Sequence, residues 1–314
     1  MSTSSPLRAS SVGHSSRAAR RRTQRAVPVI ALAAIAFLVG AIVGGNHSSS
    51  PAHRLAARFT AAWVRRDYAT MYSELNAASQ RAVTVSEFAA LFNRAATAAT
   101  LTSAKVSGHL HNEPGGVVVI PVRMHTQLFG VISSSYRLTI ADSGESTGIV
   151  WSRSLAFPGL RAGEELVRHT TLPPRAALLA RDGSTLASGP ALTAGERASP
   201  LGNAANAVVG SVGSIPASRL AALEAAGVPA QAIVGTSGLE RALDDRLRGS
   251  PGGQLLAMDT QAGSPGRVIA SVSPKAAPAV RTSISPALQR AAVTALGGQY
   301  GGIVAMQPST GAVL

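Results

Sequence analysis

Few residues of this chain have the type and spacing to do chemistry. His109-Leu110-His111, followed by Glu113, would place alternate side chains on one strand face, a spacing that a divalent metal can use. A solvated strand end has the same pattern, and that reading is adopted, so no metal ligand is assigned. Gly298-Gln299-Tyr300-Gly301 is rich in glycine but has neither Gly-x-Gly-x-x-Gly spacing nor a phosphate-binding lysine, and is read as a loop. Trp63 and Trp151 could line a pocket; core packing is the more economical role. With no cysteine there is no thiolate nucleophile, disulfide, or Cys-based zinc or iron-sulfur site. No motif implies a cofactor, and no catalytic residue is assigned.

Charge narrows the field further. The chain has 29 Lys+Arg and 15 Asp+Glu, a net +14 over 314 residues. Ten of the basic residues precede the first acidic one, Asp67, and from there the balance is 19 − 15 = +4. Basicity is therefore a property of one end, whereas nucleic-acid binding calls for a basic face on a folded domain. A hydrophobic content of 46% excludes a wholly disordered chain, and the length suggests about two domains.

The elements that must position any site follow from patterning. Residues 1–25 are Ser- and Arg-rich, without acidic residues or an apolar period, and are expected to be a disordered tail. Residues 26–45 carry no charge, and such a length reaches about 30 Å as a helix, the thickness of a bilayer core. Arginines flank it only on the N-terminal side, which places the tail in the cytoplasm and everything after Gly45 outside. The alternative is a cleaved signal peptide, whose apolar region is shorter, about 7 to 15 residues.

After a linker at 46–52, Leu55, Phe59, Ala62 and Trp63 recur at helical spacing, and Met71, Tyr72 and Leu75 mark a second, short helix. Thr84 with Glu87 three residues on reads as a capping box opening a third helix, with Phe88, Leu91, Phe92 and Ala95 on its apolar face. The period then changes to two, predicting strands near 102–110, 116–127, 129–141 and 148–156. Helices followed by a meander imply an α+β domain with helices on one face of a bent antiparallel sheet, assigned to 53–160.

Residues 161–281 form a second, mixed α+β region. Ala176–Ala187 reads as a hairpin turning at Arg181-Asp182-Gly183, Leu220–Ala226 as a short helix, Gly238–Gly249 as one helix, and 252–260 with 267–272 as a further hairpin. Ser285-Pro286 opens a helix that ends at Gly297, and 302–306 with 312–314 would form a hairpin. A return strand of three apolar residues leaves an open edge, so the 314 residues are expected to be the front part of a longer protein.

These segments resemble a known family. Phe59-x-x-x-Trp63 and Asp67-Tyr68-x-x-Met71-Tyr72 before the meander are similar to the nuclear-transport-factor-like module. Pro174-Arg175 through Arg181-Asp182-Gly183 to Leu186-Ala187, Gly238-Leu239-Glu240-Arg241 and Leu247-Arg248-Gly249 resemble the pedestal, or dimerisation, domain of penicillin-binding proteins. The segment from Leu288-Gln289 to Gly301-Gly302-Ile303-Val304-Ala305-Met306 and Pro308-x-Thr310-Gly311 looks like the opening of their transpeptidase domain, here 282–314. The order of segments is that of one group of class B penicillin-binding proteins. Ala176, Arg181-Asp182 and Ser285 depart from the family's Gly, Asp-Arg and Asp.

The resemblance implies a peptidoglycan D,D-transpeptidase acylated by β-lactams, using Ser-x-x-Lys, Ser-x-Asn and Lys-Thr/Ser-Gly. None of these occurs: the only lysines, Lys105 and Lys275, follow Thr102 and Val272 at that spacing. The chain is thus expected to be the non-catalytic half, anchored in the plasma membrane and offering its pedestal to other cell-wall synthesis or division proteins. β-Lactams and stem peptides would be met only through the missing domain, and no nucleic acid is expected. The alternative is a complete membrane-anchored binding module.

Overall fold

A computed structural model describes residues 50–191, 193–259 and 266–314. The Arg-rich tail and the apolar 26–45 segment lie outside these described residues, and among them no helix is long and apolar enough to cross a membrane. The described chain is a mixed α+β structure with a curled antiparallel sheet.

Helix α1 (Pro51–Arg65) buries Leu55, Phe59, Ala62 and Trp63, the stripe its spacing predicts. It ends where Arg66 turns left-handed (φ 58°), its N–H reaching Trp63 O at 2.9 Å while Asp67 N–H reaches Ala62 O at 2.9 Å. Those two bonds satisfy carbonyls that the last turn leaves open. Asp67 then caps α2 (Tyr68–Ser73) by accepting from Thr70 N. A helical turn absent from the sequence-based expectation, α3 (Ala77–Ala82), is capped by Asn76. The expected capping box is present at the head of α4 (Val85–Ala98), where Thr84 and Glu87 satisfy each other's backbone N–H.

Strands β1 (Leu101–Val106), β2 (His111–Glu113), β3 (Val117–Thr126), β4 (Gly130–Asp142) and β5 (Thr147–Ile149) form one antiparallel sheet in the order β1-β3-β4-β5, with β2 on β3. The strand expected over 102–110 stops at Val106. Its next ladder partner, Pro121, has no N–H to donate, and only Ser107 N–H to Pro121 O (2.9 Å) continues the contact. Similarly, the strand expected over 148–156 ends at Ile149, and Ser152 caps a 3-10 turn at Arg153–Ala156. Strand β5 is fixed against the α2–α3 connection by Asn76 N–H to Ile149 O (3.1 Å) and Ile149 N–H to Glu74 O (2.9 Å). A Cβ at Gly148 would come within 2.4 Å of Asn76 N, so only glycine allows this approach. Helices and sheet enclose a core of Phe59, Phe88, Phe92, Trp63 and Tyr136.

The rest of the chain is built from short pieces. Strand β6 (Glu164–Thr171) runs beside two later strands, β11 (Gly252–Asp259) and β12 (Arg267–Val272), in the antiparallel order β12-β11-β6; Leu255 of β11 reaches into the first core. Strands β7 (Leu178–Leu179) and β8 (Thr185–Ala187) form the expected hairpin, and β13 (Val280–Arg281) adds parallel to β7. Helix α5 (Asn203–Val209) covers this small sheet. Strands β9 (Val212–Ser214) and β10 (Ile233–Gly235) pair around α6 (Ala217–Ala225), whose Leu223 packs with Val228 and Val234.

The single helix expected over 238–249 is two: α7 (Gly238–Ala242) and α8 (Asp244–Arg248), broken at Leu243 (φ −110°, ψ 14°). The break lets Asp244 open a new turn facing β10, whose Gly235 N–H it accepts at 2.8 Å. Helix α9 (Pro286–Leu296) has the cap, first-turn proline and left-handed Gly297 that its sequence predicts. Beyond it, Met306 bridges Val313, Leu314 N–H reaches Ala305 O at 2.8 Å, and Ser285 N–H reaches Leu314 O at 2.6 Å. Ile303, Val304, Met306 and Val313 are nevertheless exposed.

Candidate functional site

The residues first weighed for chemistry do not assemble. His109 and His111 are both exposed, and Glu113 is engaged by Arg137. Among the described residues no three His, Asp or Glu side chains are grouped as a metal site would need. Trp63 is buried, 4.9 Å centroid to centroid from Tyr136, while the part-buried Trp151 packs at 5.0 Å on Phe88. Beside Trp63, Tyr68 and Phe92 lies a cavity of about 30 Å³, the space of roughly one water, while Trp151, with Leu91, Arg94 and Arg153, borders an open cavity of about 370 Å³.

The concentrated chemistry lies in the second region. Glu240 and Asp244, both essentially inaccessible, sit among four guanidiniums. Arg175 Nε donates to Glu240 Oε2 (2.7 Å), its Nη1 to Asp244 Oδ1 (2.7 Å) and its Nη2 to Glu240 O (2.9 Å). Arg197 Nη1 donates to Glu240 Oε1 (2.9 Å), Nη2 to Ala176 O (2.9 Å) and Nε to Gly189 O (3.0 Å). Asp244 Oδ2 accepts from Arg219 Nη2 (2.7 Å) and Arg248 Nη1 (2.5 Å), and Arg248 Nη2 reaches the exposed Asp245 (2.6 Å). Burial works to raise the Asp244 pKa, but the Gly235 N–H and the guanidiniums of Arg219 and Arg175 outweigh it, leaving the carboxyl below its ordinary value.

This arrangement joins rather than reacts. Each buried carboxylate is paired with guanidiniums, and no hydroxyl nucleophile takes part in the network. It ties the 175–176 segment, the 189–197 loop, α6, β10, α7 and α8 into one body. A Cβ at Gly235 would meet Glu240 O at 1.9 Å, so β10 can lie this close only through glycine. In the sequence Arg175, Glu240 and Arg248 fall within separate motifs that nothing joins, and Arg197, Arg219 and Asp244 belong to none of the motifs singled out. The spacing of Glu240 and Asp244 on one helical face is a visible signal. Nothing local points from it to Arg197.

The departures from the family pattern are accommodated. Asp182 Oδ1 accepts from Ser184 N (2.9 Å), closing the hairpin turn; Arg181 N–H reaches Ile284 O (3.0 Å); and Ala176 N–H reaches Leu247 O (2.8 Å).

Comparison with known families decides the assignment. Residues 51–164 match the NTF2-like N-terminal transpeptidase domain, and residues 191–280 match the penicillin-binding protein dimerisation domain. The chain carries the N-terminal half of a class B penicillin-binding protein. Both domains are typical of penicillin-binding proteins of cell-wall synthesis, and the buried network lies within and just before the dimerisation match of this penicillin-binding protein. No curated protein matches the chain.

Proposed function

We propose that this chain is the non-catalytic, extracytoplasmic platform of a membrane-anchored penicillin-binding protein in peptidoglycan synthesis. The succession of the two family matches on one chain is the observation that carries it. In this reading residues 26–45 are the single anchor, residues 1–25 stay in the cytoplasm, and residues 53–160 raise the pedestal of 161–281 from the membrane. The pedestal meets other cell-wall synthesis or division proteins. Residues 282–314 open a transpeptidase domain, and the exposed Ile303, Val304, Met306 and Val313 are the apolar surface such a domain covers. Cross-linking of stem peptides and acylation by β-lactams belong to that domain, because Ser-x-x-Lys, Ser-x-Asn and Lys-Thr/Ser-Gly do not occur in these residues.

The test uses the full chain with a reporter, active only outside the membrane, fused after Leu314. Reporter activity in the membrane fraction, with no covalent labelling of the chain by a fluorescent penicillin, is the expected result. Activity wholly in the soluble fraction would replace the anchor by a cleaved leader, and labelling that survives denaturation would overturn the non-catalytic assignment.

A further inference from the structure

The pedestal contains an open cavity of about 450 Å³, within the range of small-ligand sites. Pro173, Pro174, Pro190 and Pro229 give it rigid apolar walls, and Arg175 and Arg248 are its charged members. Proline loses no side-chain freedom when a ligand arrives, so these walls are preformed.

Two observations point to an anion. The network behind the cavity has four guanidiniums against three carboxylates, and one of these, Asp245, is 83% exposed, so positive charge is in excess where solvent is least able to screen it. Arg248, with a side chain 9% exposed, has its Nε buried without an acceptor. Only one other buried side-chain polar atom among the described residues lacks a partner, and that one, Tyr136 Oη, is in the first region. An unpaired buried donor is costly; Arg248 lines the cavity, and a turn of its side chain toward the opening would let a ligand supply the missing acceptor.

We propose that this cavity binds the C-terminal residue of a peptide, with an apolar side chain against the prolines and the free carboxylate at Arg248. A terminal residue carries both groups on one Cα, which suits a site where apolar wall and guanidinium adjoin. The proposal does not depend on the anchor or on the platform role.

Methyl NMR of the full chain in nanodiscs tests it, reading the Ile233 and Ala232 methyls on the cavity wall against N-acetyl-leucine and N-acetyl-leucinamide. The acid should shift these methyls saturably, and the amide should bind about tenfold more weakly, the worth of one charge-assisted hydrogen bond. Gln231→Glu, an exposed rim change that leaves the network untouched, should weaken the acid several-fold and spare the amide. Equal binding of acid and amide, indifference to Gln231→Glu, or no shift of these methyls up to about 20 mM, weaker than any useful affinity, would overturn the proposal.

Discussion

Phe59, Phe88, Phe92 and Tyr136 fill the interior of residues 51–160, whereas the pedestal combines a smaller apolar cluster of Leu178, Leu186, Leu247 and alanines such as Ala180 and Ala187 with the buried guanidiniums of Arg175 and Arg197. In the first region the buried polar residues are uncharged, Thr60, Asn76 and Ser79 among them; from Glu164 onward the buried set includes Arg175, Arg197, Glu240, Asp244 and Arg248. Apolar burial is non-directional, so the rings of the first region do not by themselves select the pairing of its elements, which the sheet ladder and the close approach at Gly148 fix. Ionic burial is directional. Arg175, Arg197 and Arg219 each have a carboxylate acceptor on a segment distant in sequence, so the network selects which short pieces come together. A buried network of this kind adds little net stability over an apolar substitute, but removing half of it is severe.

The largest expected effect comes from breaking each region by its own logic. Glu240→Ala strands Arg175 and Arg197 in the interior and should cost about 3–5 kcal/mol. Phe59→Ala empties the centre of the first core for a similar cost of about 3–5 kcal/mol. The comparison lies in where protection is lost. Hydrogen exchange should rise over 172–250 with 53–150 unchanged for Glu240→Ala, and the reverse for Phe59→Ala. Equal loss over both regions by either variant would mean that the two interiors form one cooperative unit.

The same contrast explains what can be read from the sequence. The stripe Leu55, Phe59, Ala62, Trp63, the Thr84–Glu87 box and the Ser285-Pro286 to Gly297 helix are local signals, and each is found where its pattern places it. Helix α3 gives no such signal because Ala77–Ala82 is a single polar-faced turn, fixed by Asn76 and by its contact with β5. The break at Leu243 is hidden by Leu239, Leu243 and Leu247, whose spacing is helical; it is imposed from outside, by Gly235 and the arginines that receive Asp244. The pairing of β6 with β11 and the meeting of Arg197 with Glu240 span many tens of residues and leave no periodic trace. A pedestal assembled from such distant pairs is legible through family resemblance, while its patterning alone leaves the pairs unjoined.

Acid should sharpen the comparison. The Asp244 pKa is lowered in the folded chain, so its contribution is fully present above the unfolded value, about 3.9, and is lost as pH falls through the native value. Asp67 and Glu87 in the first region are also lowered, by hydrogen bonds from Thr70 and Thr84, but both are helix caps at the surface and their loss frays ends rather than opening an interior. As pH drops below about 4, exchange protection over 172–250 should therefore fail before that over 53–150. An Asp244→Asn variant should lack this acid step. If the first region opens at the higher pH, the buried network is not what acid attacks.

The smallest effect concerns the one flaw in the aromatic core. Tyr136 is 1% exposed, and its ring meets those of Trp63 and Phe59 edge-on at 4.9 and 6.0 Å, yet its hydroxyl has no hydrogen-bond partner. Burial, with the neighbouring Tyr68 adding to it, raises the hydroxyl's pKa well above its ordinary value, so the group stays neutral and the cost is that of an unmade hydrogen bond rather than of a charge. An unsatisfied buried polar group costs the fold about 1–3 kcal/mol, and the packing contacts of the oxygen offset part of that. Tyr136→Phe keeps the ring and removes the oxygen, leaving a void smaller than a methyl group. Stability of the first region should rise by about 1 kcal/mol, seen as a higher denaturation midpoint at an unchanged denaturant slope. No such gain is available in the pedestal, where deleting any member of the network uncovers a charge. A loss of about 1 kcal/mol or more on Tyr136→Phe, the worth of a made hydrogen bond, would show that the hydroxyl is bonded in solution, and that the first region, too, depends on a directional contact in its core.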